Sequence, residues 1–276
     1  MNFDVQNVLK LGSLAADYMS WMGRLPMLQH PQPKQALVIC FGTGQTANAV
    51  RQEGPEHLTI VDLSKAVFEL APKFPTNHGV LDDPRVSHVT MDGRAWLRRT
   101  NETYDVVTLE PLPPTFAGMN ALYSREFYQL VSSRLNPGGI VAQWMPFHLL
   151  DAKQAAAIAA TFCEAYPDAI LWLDPLDHTG ILLGRKGDGP ALEKNWPGLL
   201  RPSSGRTLQP EAIQAAAVLN AAALERFARS GVVITDDNQR LAYSFTLHPG
   251  LTNPQELAGI NLVRVEAARK GDTPPP

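Results

Sequence analysis

Short apolar runs alternate with amphipathic stretches through most of the chain, and the alternation predicts its elements. Ala36 to Phe41 (ALVICF) is continuously apolar and bounded by turn residues, as expected of a strand buried on both faces. Gln45 to Gln52 reads as a helix, Leu58 to Asp62 as a second strand, and Lys65 to Leu70 as a helix capped by Ser64. Val86 to Thr90 is a strand, Asp92 to Arg99 a helix, and Tyr104 to Glu110 a strand running into a proline-rich loop. Ser124 to Leu135 places Phe127, Leu130, Val131 and Leu135 on one helical face, with Ser124 as its cap. After the Asn136-Pro137-Gly138-Gly139 turn come a strand, Ile140 to Met145, and an alanine-rich helix, Ala152 to Ala165. Ile170 to Leu173 and Gly180 to Leu183 are strands joined by a short loop, which suits an antiparallel pair. Strands alternating with helices predict an α/β fold, a mostly parallel sheet covered on both faces.

The flanks are less regular. Met1 to Pro33 has no clear pattern, although Leu25, Met27 and Leu28 look buried. Gly187 to Gly205 is loop-rich, Glu211 to Arg229 predicts one long helix, and Val232 to Thr235 and Leu241 to Phe245 predict two late strands. The expected organisation is a short N-terminal segment over residues 1–33 and a Rossmann-like unit over 34–186. A C-terminal extension over 187–269 and a disordered tail over 270–276 would follow.

Gly42-Thr43-Gly44 joins the first strand to the next helix, where glycine permits a sharp turn and close approach to a ligand. Asp62 ends the second strand at about the spacing of a ribose-binding acid. Asp92-Gly93 follows the third strand and Glu110 ends the fourth. All four positions fall on the C-terminal edge of the predicted sheet, where α/β folds bind ligands. The glycine loop with Asp62 does not separate a nicotinamide cofactor from S-adenosylmethionine; Asp92-Gly93, where an acid can meet the adenine amino group, is a second feature that helps. Each acid also has a plain alternative: Asp62 and Asp92 as helix caps, Glu110 as a solvated loop carboxylate.

Composition removes several classes. With 24 Lys+Arg against 27 Asp+Glu the net charge is −3, too balanced for a nucleic-acid footprint or a polybasic membrane surface. Hydrophobic residues are 45% and charged residues 18%, so the chain is not compositionally disordered. No run approaches the about 18 apolar residues of a membrane span, and Met1 to Lys10 lacks a secretory pattern. Cys40 and Cys163 form neither a disulfide framework nor a zinc pattern, which suits a reducing cytosol. His30 and His148 lack metal-ligand spacing, and no metal is expected.

The stretches LPMLQHPQPKQALVICFGTG, TIVDLSKAV, VTMDGRAWL, YDVVTLEPLPP, LYSREFYQLV and LNPGGIVAQW occur in this order between Tyr18 and Leu149. Together they resemble the spermidine synthase (polyamine aminopropyltransferase) family. VLDDPRV (Val80 to Val86) and ITDDNQ (Ile234 to Gln239) resemble its bacterial spermidine-synthase-like branch. The resemblance implies a Rossmann-like, methyltransferase-type fold with a seven-stranded sheet and an antiparallel C-terminal hairpin. It implies decarboxylated S-adenosylmethionine, or S-adenosylmethionine, as co-substrate and a small-molecule amine as acceptor; family members often form homodimers. Gly42, Thr43 and Gly44 would line the nucleoside pocket, Asp62 and Leu63 the ribose, and Asp92 with Gly93 the adenine. Glu110 falls at the family's catalytic aspartate, and Tyr18 matches the tyrosine of its Tyr-His-Glu segment.

The departures concern the amine. Met19 and Ser20 replace the His and Glu of that segment, and Pro113 stands where the family's second aspartate binds amine. A diamine needs a distal anion, because an unpaired buried ammonium is costly. Asp236 and Asp237 are candidates for it, with a solvated turn as the alternative. Phe116 and Trp144 could pack on a nucleoside or sulfonium, or simply in the core. Three further readings stay open beside aminopropyl transfer: a methyltransferase or sulfonium-cyclising enzyme, a nicotinamide oxidoreductase, and a non-catalytic nucleoside-binding module.

Overall fold

The computed structural model describes residues 15–114, 116, 118–202, 205–241 and 253–275. The elements are α1 (Ala15–Gln29), β1 (Gln35–Ile39), α2 (Gln45–Gln52), β2 (His57–Asp62), α3 (Lys65–Leu70), β3 (Val86–Thr90), α4 (Gly93–Arg99) and β4 (Tyr104–Leu109). Then follow α5 (Arg125–Arg134), β5 (Leu135–Met145), α6 (Ala152–Ala165), β6 (Ile170–Leu173), β7 (Gly180–Arg185), α7 (Pro210–Ala215), α8 (Ala221–Ala228) and α9 (Pro254–Lys270). The strands form one 7-stranded sheet in the order β3-β2-β1-β4-β5-β7-β6. Only β7 runs against its neighbours, pairing antiparallel with β5 and β6. No described helix is long and apolar enough to cross a membrane.

Strand alternation sorts the core into two faces. Leu37, Ile39, Val107, Leu109, Val141, Leu171 and Leu182 point to the side covered by α5, α6, α8 and α9. Their neighbours Ile140, Ala142, Trp144, Ile170, Trp172, Ile181 and Leu183 meet Trp21, Met22, Leu25 and Leu28 of α1. On that same face, Ala36, Val38, Ile60 and Val106 meet Ala47 and Val50 of α2.

The indistinct N-terminal stretch is helical because the tertiary structure repairs a local defect. Pro26 lies inside α1 and has no N–H for the carbonyl four residues earlier. That carbonyl, on Met22, accepts instead from the Thr108 hydroxyl of β4 at 2.8 Å. At the helix end the Arg201 guanidinium donates to the carbonyls of Met27, His30 and Pro31. The Thr108 bond also fixes α1 to β4, the strand that Glu110 follows.

The expected long helix over Glu211 to Arg229 is broken into α7 and α8. Helical propensity loses here to an unpaired sheet edge. Leu171 of β6 exchanges backbone hydrogen bonds with Leu219 at 2.9 and 3.2 Å, and the Leu173 N–H donates to the Ala216 carbonyl at 2.8 Å. Asn220 then caps α8, accepting from the Ala223 N–H at 3.0 Å. Val232 to Thr235 is not a strand either. Ile234 is buried and its backbone bonds run to the Thr161 hydroxyl of α6 and the Arg125 N–H of α5. Of the second late strand, Leu241 is in a helical turn and the remainder lies outside the described residues.

Gly93 opens α4 where it presses on the end of β1. A Cβ there would lie 2.4 Å from Ile39 Cγ2. Gly93→Ala should therefore lower stability by roughly 1–3 kcal/mol through overpacking. Denaturant unfolding checks this: the midpoint falls at constant slope, and Gly93→Ala costs less in an Ile39→Ala background than in the wild type.

Candidate active site

The loop after β1 is built from backbone strain and close packing. Cys40 has φ 72°, a left-handed value that is unfavourable without glycine, and Gly42 (φ 54°) and Gly44 (φ 85°) continue the turn. Gly44 is the N-cap of α2, and a Cβ there would lie 2.5 Å from the Phe41 ring. Above Gly42 there is open space within 4 Å, which suits close approach by a ligand. Cys40 itself is packed among acids. Burial pushes its thiol pKa up, and the charges of Asp62, Glu110 and Asp92 push it further. The three acids follow β2, β3 and β4, which lie beside β1 in one sheet, so they fall on the same C-terminal edge as the glycine loop.

Asp62 holds the loop from the neighbouring strand. One carboxylate oxygen accepts from the Phe41 N–H at 2.8 Å and the other from the Ser64 N–H at 2.8 Å. Ser64 is the N-cap residue of α3 but makes no side-chain cap bond, so Asp62 does part of that work. Leu63, beside it, is 72% exposed, an apolar surface at the mouth of the site. Asp92 caps α4, accepting from the Ala95 N–H at 2.8 Å. This is the plain helix-cap role, and the bond engages one of its two oxygens.

Glu110 follows the last residue of β4. Its Oε1 accepts from the Tyr18 hydroxyl at 2.8 Å. Its Oε2 lies 3.1 Å from the Thr46 hydroxyl, which is also 3.0 Å from the Met19 carbonyl and has one proton for the two acceptors. Burial pushes the Glu110 pKa up to about 7, against the opposing effect of both hydroxyls. A carboxyl poised there is suited to taking and releasing a proton near neutral pH. Burial and the nearby Glu110 charge raise the Tyr18 pKa, so this hydroxyl remains a donor. The Tyr18 ring stacks on Trp144 with centroids 6.1 Å apart, and Trp144 meets His148 edge-on at 6.3 Å. Trp144 thus serves both the core and the site wall, whereas Phe116 is 44% exposed and is not a core residue.

Asp236 is engaged by protein groups. Both oxygens of Asp236 receive the Arg94 guanidinium, and Oδ1 also accepts from the Ser124 hydroxyl at 2.7 Å. Its carboxylate ties the C-terminal segment to the starts of α4 and α5 and is already committed to a cation. Asp237 is exposed in the adjoining turn. Asp236→Ala should cost about 1 kcal/mol, a modest loss because the pair is half-exposed. The Arg94 bond holds the Asp236 pKa below its usual value. That contribution is therefore present at neutral pH and is lost as pH falls below the normal carboxylate range. Thermal unfolding against pH checks it, with affinity for S-adenosylmethionine as a control expected to stay within about twofold.

The spermine/spermidine synthase domain model matches residues 16–167, more than half of the chain. The chain belongs to the spermine/spermidine synthase family. The matched region carries Tyr18, the glycine loop, Asp62, Asp92 and Glu110, and it stops before β6, β7 and Asp236. Polyamine aminopropyltransferase 2 of Pseudomonas aeruginosa is 39% identical over 145 residues, 51% of this chain but only 42% of that protein. The spermidine synthase crystal structure in complex with the transition-state analogue AdoDATO superposes with a TM-score of 0.68 at 22% identity. The superposition covers 77% of this chain and 75% of that one. Human methyltransferase-like protein 13 in complex with SAH follows at a TM-score of 0.50 and 17% identity, over 82% of this chain and 95% of that one. The family fold, with its mostly parallel sheet and antiparallel end, is the one expected from the sequence.

Sequence reasoning missed three participants. Thr46, on the first turn of α2, was invisible because only the crossing of α1, α2 and β4 brings it to Glu110. Tyr123 has a buried hydroxyl with no hydrogen-bond partner among the described residues, close enough to Cys40 and Glu110 for their charges to raise its pKa beyond the effect of burial. Asp177 lies in the β6–β7 loop, and its charge adds to the larger effects of burial and of Glu110 that raise the Tyr18 pKa. Only the sidedness of the β6–β7 hairpin could have suggested that last residue.

Proposed function

We propose that this chain transfers the aminopropyl group of decarboxylated S-adenosylmethionine to an amine, releasing methylthioadenosine. The observation that carries the proposal is Glu110: a carboxyl with a pKa of about 7, held by Tyr18, on the same sheet edge as Asp62 and Asp92. Asp62 would receive the ribose hydroxyls, Asp92 and Gly93 the adenine, and Gly42 to Gly44 the nucleoside backbone. The AdoDATO and SAH complexes of proteins with this fold support a ligand of the S-adenosylmethionine class. The decarboxylated form is the finer part of the proposal, as is a cytosolic setting.

The chemistry is an in-line displacement. The acceptor arrives as an ammonium and loses one proton to the Glu110 carboxylate. Its nitrogen lone pair then attacks the propyl carbon next to the sulfonium, the carbon–sulfur bond breaks, and the bonding pair stays on sulfur. Methylthioadenosine leaves neutral, so no general acid is required. The product nitrogen keeps the positive charge and Glu110 returns its proton to solvent. Positioning of the amine and removal of its proton are the contributions of Glu110 and Tyr18.

The test is methylthioadenosine release by mass spectrometry, with decarboxylated or ordinary S-adenosylmethionine and with or without polyamines. Amine-dependent release from the decarboxylated form alone is the expected result. Release without amine would indicate cyclisation or hydrolysis of the sulfonium, the alternative favoured by Pro113 in place of an amine-binding acid. No release from either form would sink the proposal.

A further inference from the structure

Helix α9 lies outside the region matched by the family model, yet it reaches the back of the candidate site. Its buried residues are Leu257, Asn261, Arg264, Val265 and Ala268. Asn261 sits in the middle of that stripe at 0% exposure. A leucine of similar size would pack there without the cost of taking an amide out of water. What the amide adds is its N–H groups. Nδ2 donates to the carbonyls of Leu150 at 2.7 Å and Phe147 at 3.0 Å, with the Leu257 carbonyl of its own helix at 3.1 Å. Those three carbonyls also fix which way the amide faces, because its oxygen in the same place would meet only acceptors. Oδ1, on the other side, has no partner among the described residues.

Phe147 and Leu150 bracket the turn that follows β5. The turn spans Phe147–Leu149 and is closed by the Leu149 N–H, which donates to the Pro146 carbonyl at 2.8 Å. Its buried Phe147 ring packs on Phe227 of α8 at 6.1 Å, so α8 holds the side chain while Asn261 holds the backbone. The turn carries His148, whose ring meets the edge of Trp144. Trp144 stacks on Tyr18, and Tyr18 donates to Glu110. A continuous path of contacts therefore runs from Asn261 through the turn and the aromatic wall to the carboxyl.

We infer that Asn261 is a positioning residue for the reaction at Glu110, holding the 147–150 turn so that His148 and Trp144 back the Tyr18 ring. Helix α9 is then part of the active-site architecture. The catalytic half of the inference rests on the aminopropyl-transfer reading; the path of contacts does not. Displacement of a reacting group by about 1 Å can cost about 10²-fold in rate, so a loosened wall is enough to register in turnover.

The experiment uses the whole chain. Asn261→Leu keeps the volume and removes the donors. Val265→Ala weakens the packing of the same helix and leaves the Asn261 bonds in place. In amine-dependent methylthioadenosine release, Asn261→Leu should lower kcat at least about tenfold. Its affinity for methylthioadenosine, measured by calorimetry, should stay within about twofold, because Asp62 and Asp92 lie on other strands. Val265→Ala should lose melting temperature and keep kcat within about twofold. An unaltered kcat in Asn261→Leu, or a loss in Val265→Ala as large as in Asn261→Leu, overturns the inference. Asn261→Ser, which is smaller and keeps one hydroxyl donor, is read by the same criteria and decides the matter where Asn261→Leu does not fold.

Hydrogen exchange separates this from the parent reading, since it needs no turnover. Amides of residues 147–150 and of Met19 to Met22 in α1 should exchange at least about tenfold faster in Asn261→Leu than in Val265→Ala. Faster exchange confined to α8 and α9 means a merely structural amide and overturns the inference. Faster exchange that spreads to α1, in a protein whose wild type releases no methylthioadenosine, overturns only the transferase reading.

Discussion

Replacing Glu110 with Gln lowers kcat for amine-dependent methylthioadenosine release by about 10²-fold or more, the usual contribution of a positioned general base. Gln keeps the size of the side chain and one acceptor for the Tyr18 hydroxyl, so the loss isolates the proton-accepting function. The pH profile gives a second readout. Since the wild-type group must be ionised to accept a proton, activity rises with pH through a limb centred near the Glu110 pKa of about 7. The variant lacks that limb. Stability moves the other way. The folded-state pKa lies above the ordinary value of 4.5, so the stability linked to this group is full below that value and is lost as pH rises through about 7. Glu110→Gln escapes this loss and should be the more stable protein at about pH 8, by something on the order of 1–3 kcal/mol, with the difference closing toward about pH 4. Steady-state kinetics and thermal melts across that range check both signs. Unchanged turnover would remove Glu110 from the mechanism.

Asp62→Ala is the second large effect. The carboxylate holds the loop and, in the proposed function, receives the ribose; the substitution removes both. It leaves the N–H groups of Phe41 and Ser64 without their acceptor, and it deletes the anion available to the ribose hydroxyls. Hydrogen bonds to a charged group contribute roughly 1.5–3 kcal/mol each. Loss of the ribose contacts should therefore weaken methylthioadenosine binding by about 10²-fold, as measured by calorimetry. Asp62→Asn divides the tasks, keeping one backbone acceptor while removing the charge. It should hold more of the wild-type melting temperature than Asp62→Ala while recovering little affinity. Wild-type affinity in both variants would mean that Asp62 supports only the loop.

The two variants also show how differently the site residues are encoded. Asp62, Asp92 and Glu110 were legible because each sits at the end of a strand, and a run of apolar residues followed by an acid survives in one dimension. Their convergence follows from parallel strands presenting their C-terminal ends to one side. Tyr18 was reached only through the family resemblance, since the segment around it carries no periodic signal and a proline interrupts its helix.

What the sequence alone determined is therefore the order of strands and helices between Gln35 and Arg185, the sheet edge on which the candidate site lies, and the three acids upon it. Those properties depend on local pattern: buried strands are apolar, caps are polar, and sharp turns need glycine. The tertiary structure decided the rest. Thr108 rescues the carbonyl freed by Pro26 and so places Tyr18 against Glu110. The edge of β6 captures residues near Leu219 and divides a strongly helical stretch. Arg94 claims Asp236. In each case a backbone group or charge found its partner far along the chain, and burial made an unpaired alternative too costly.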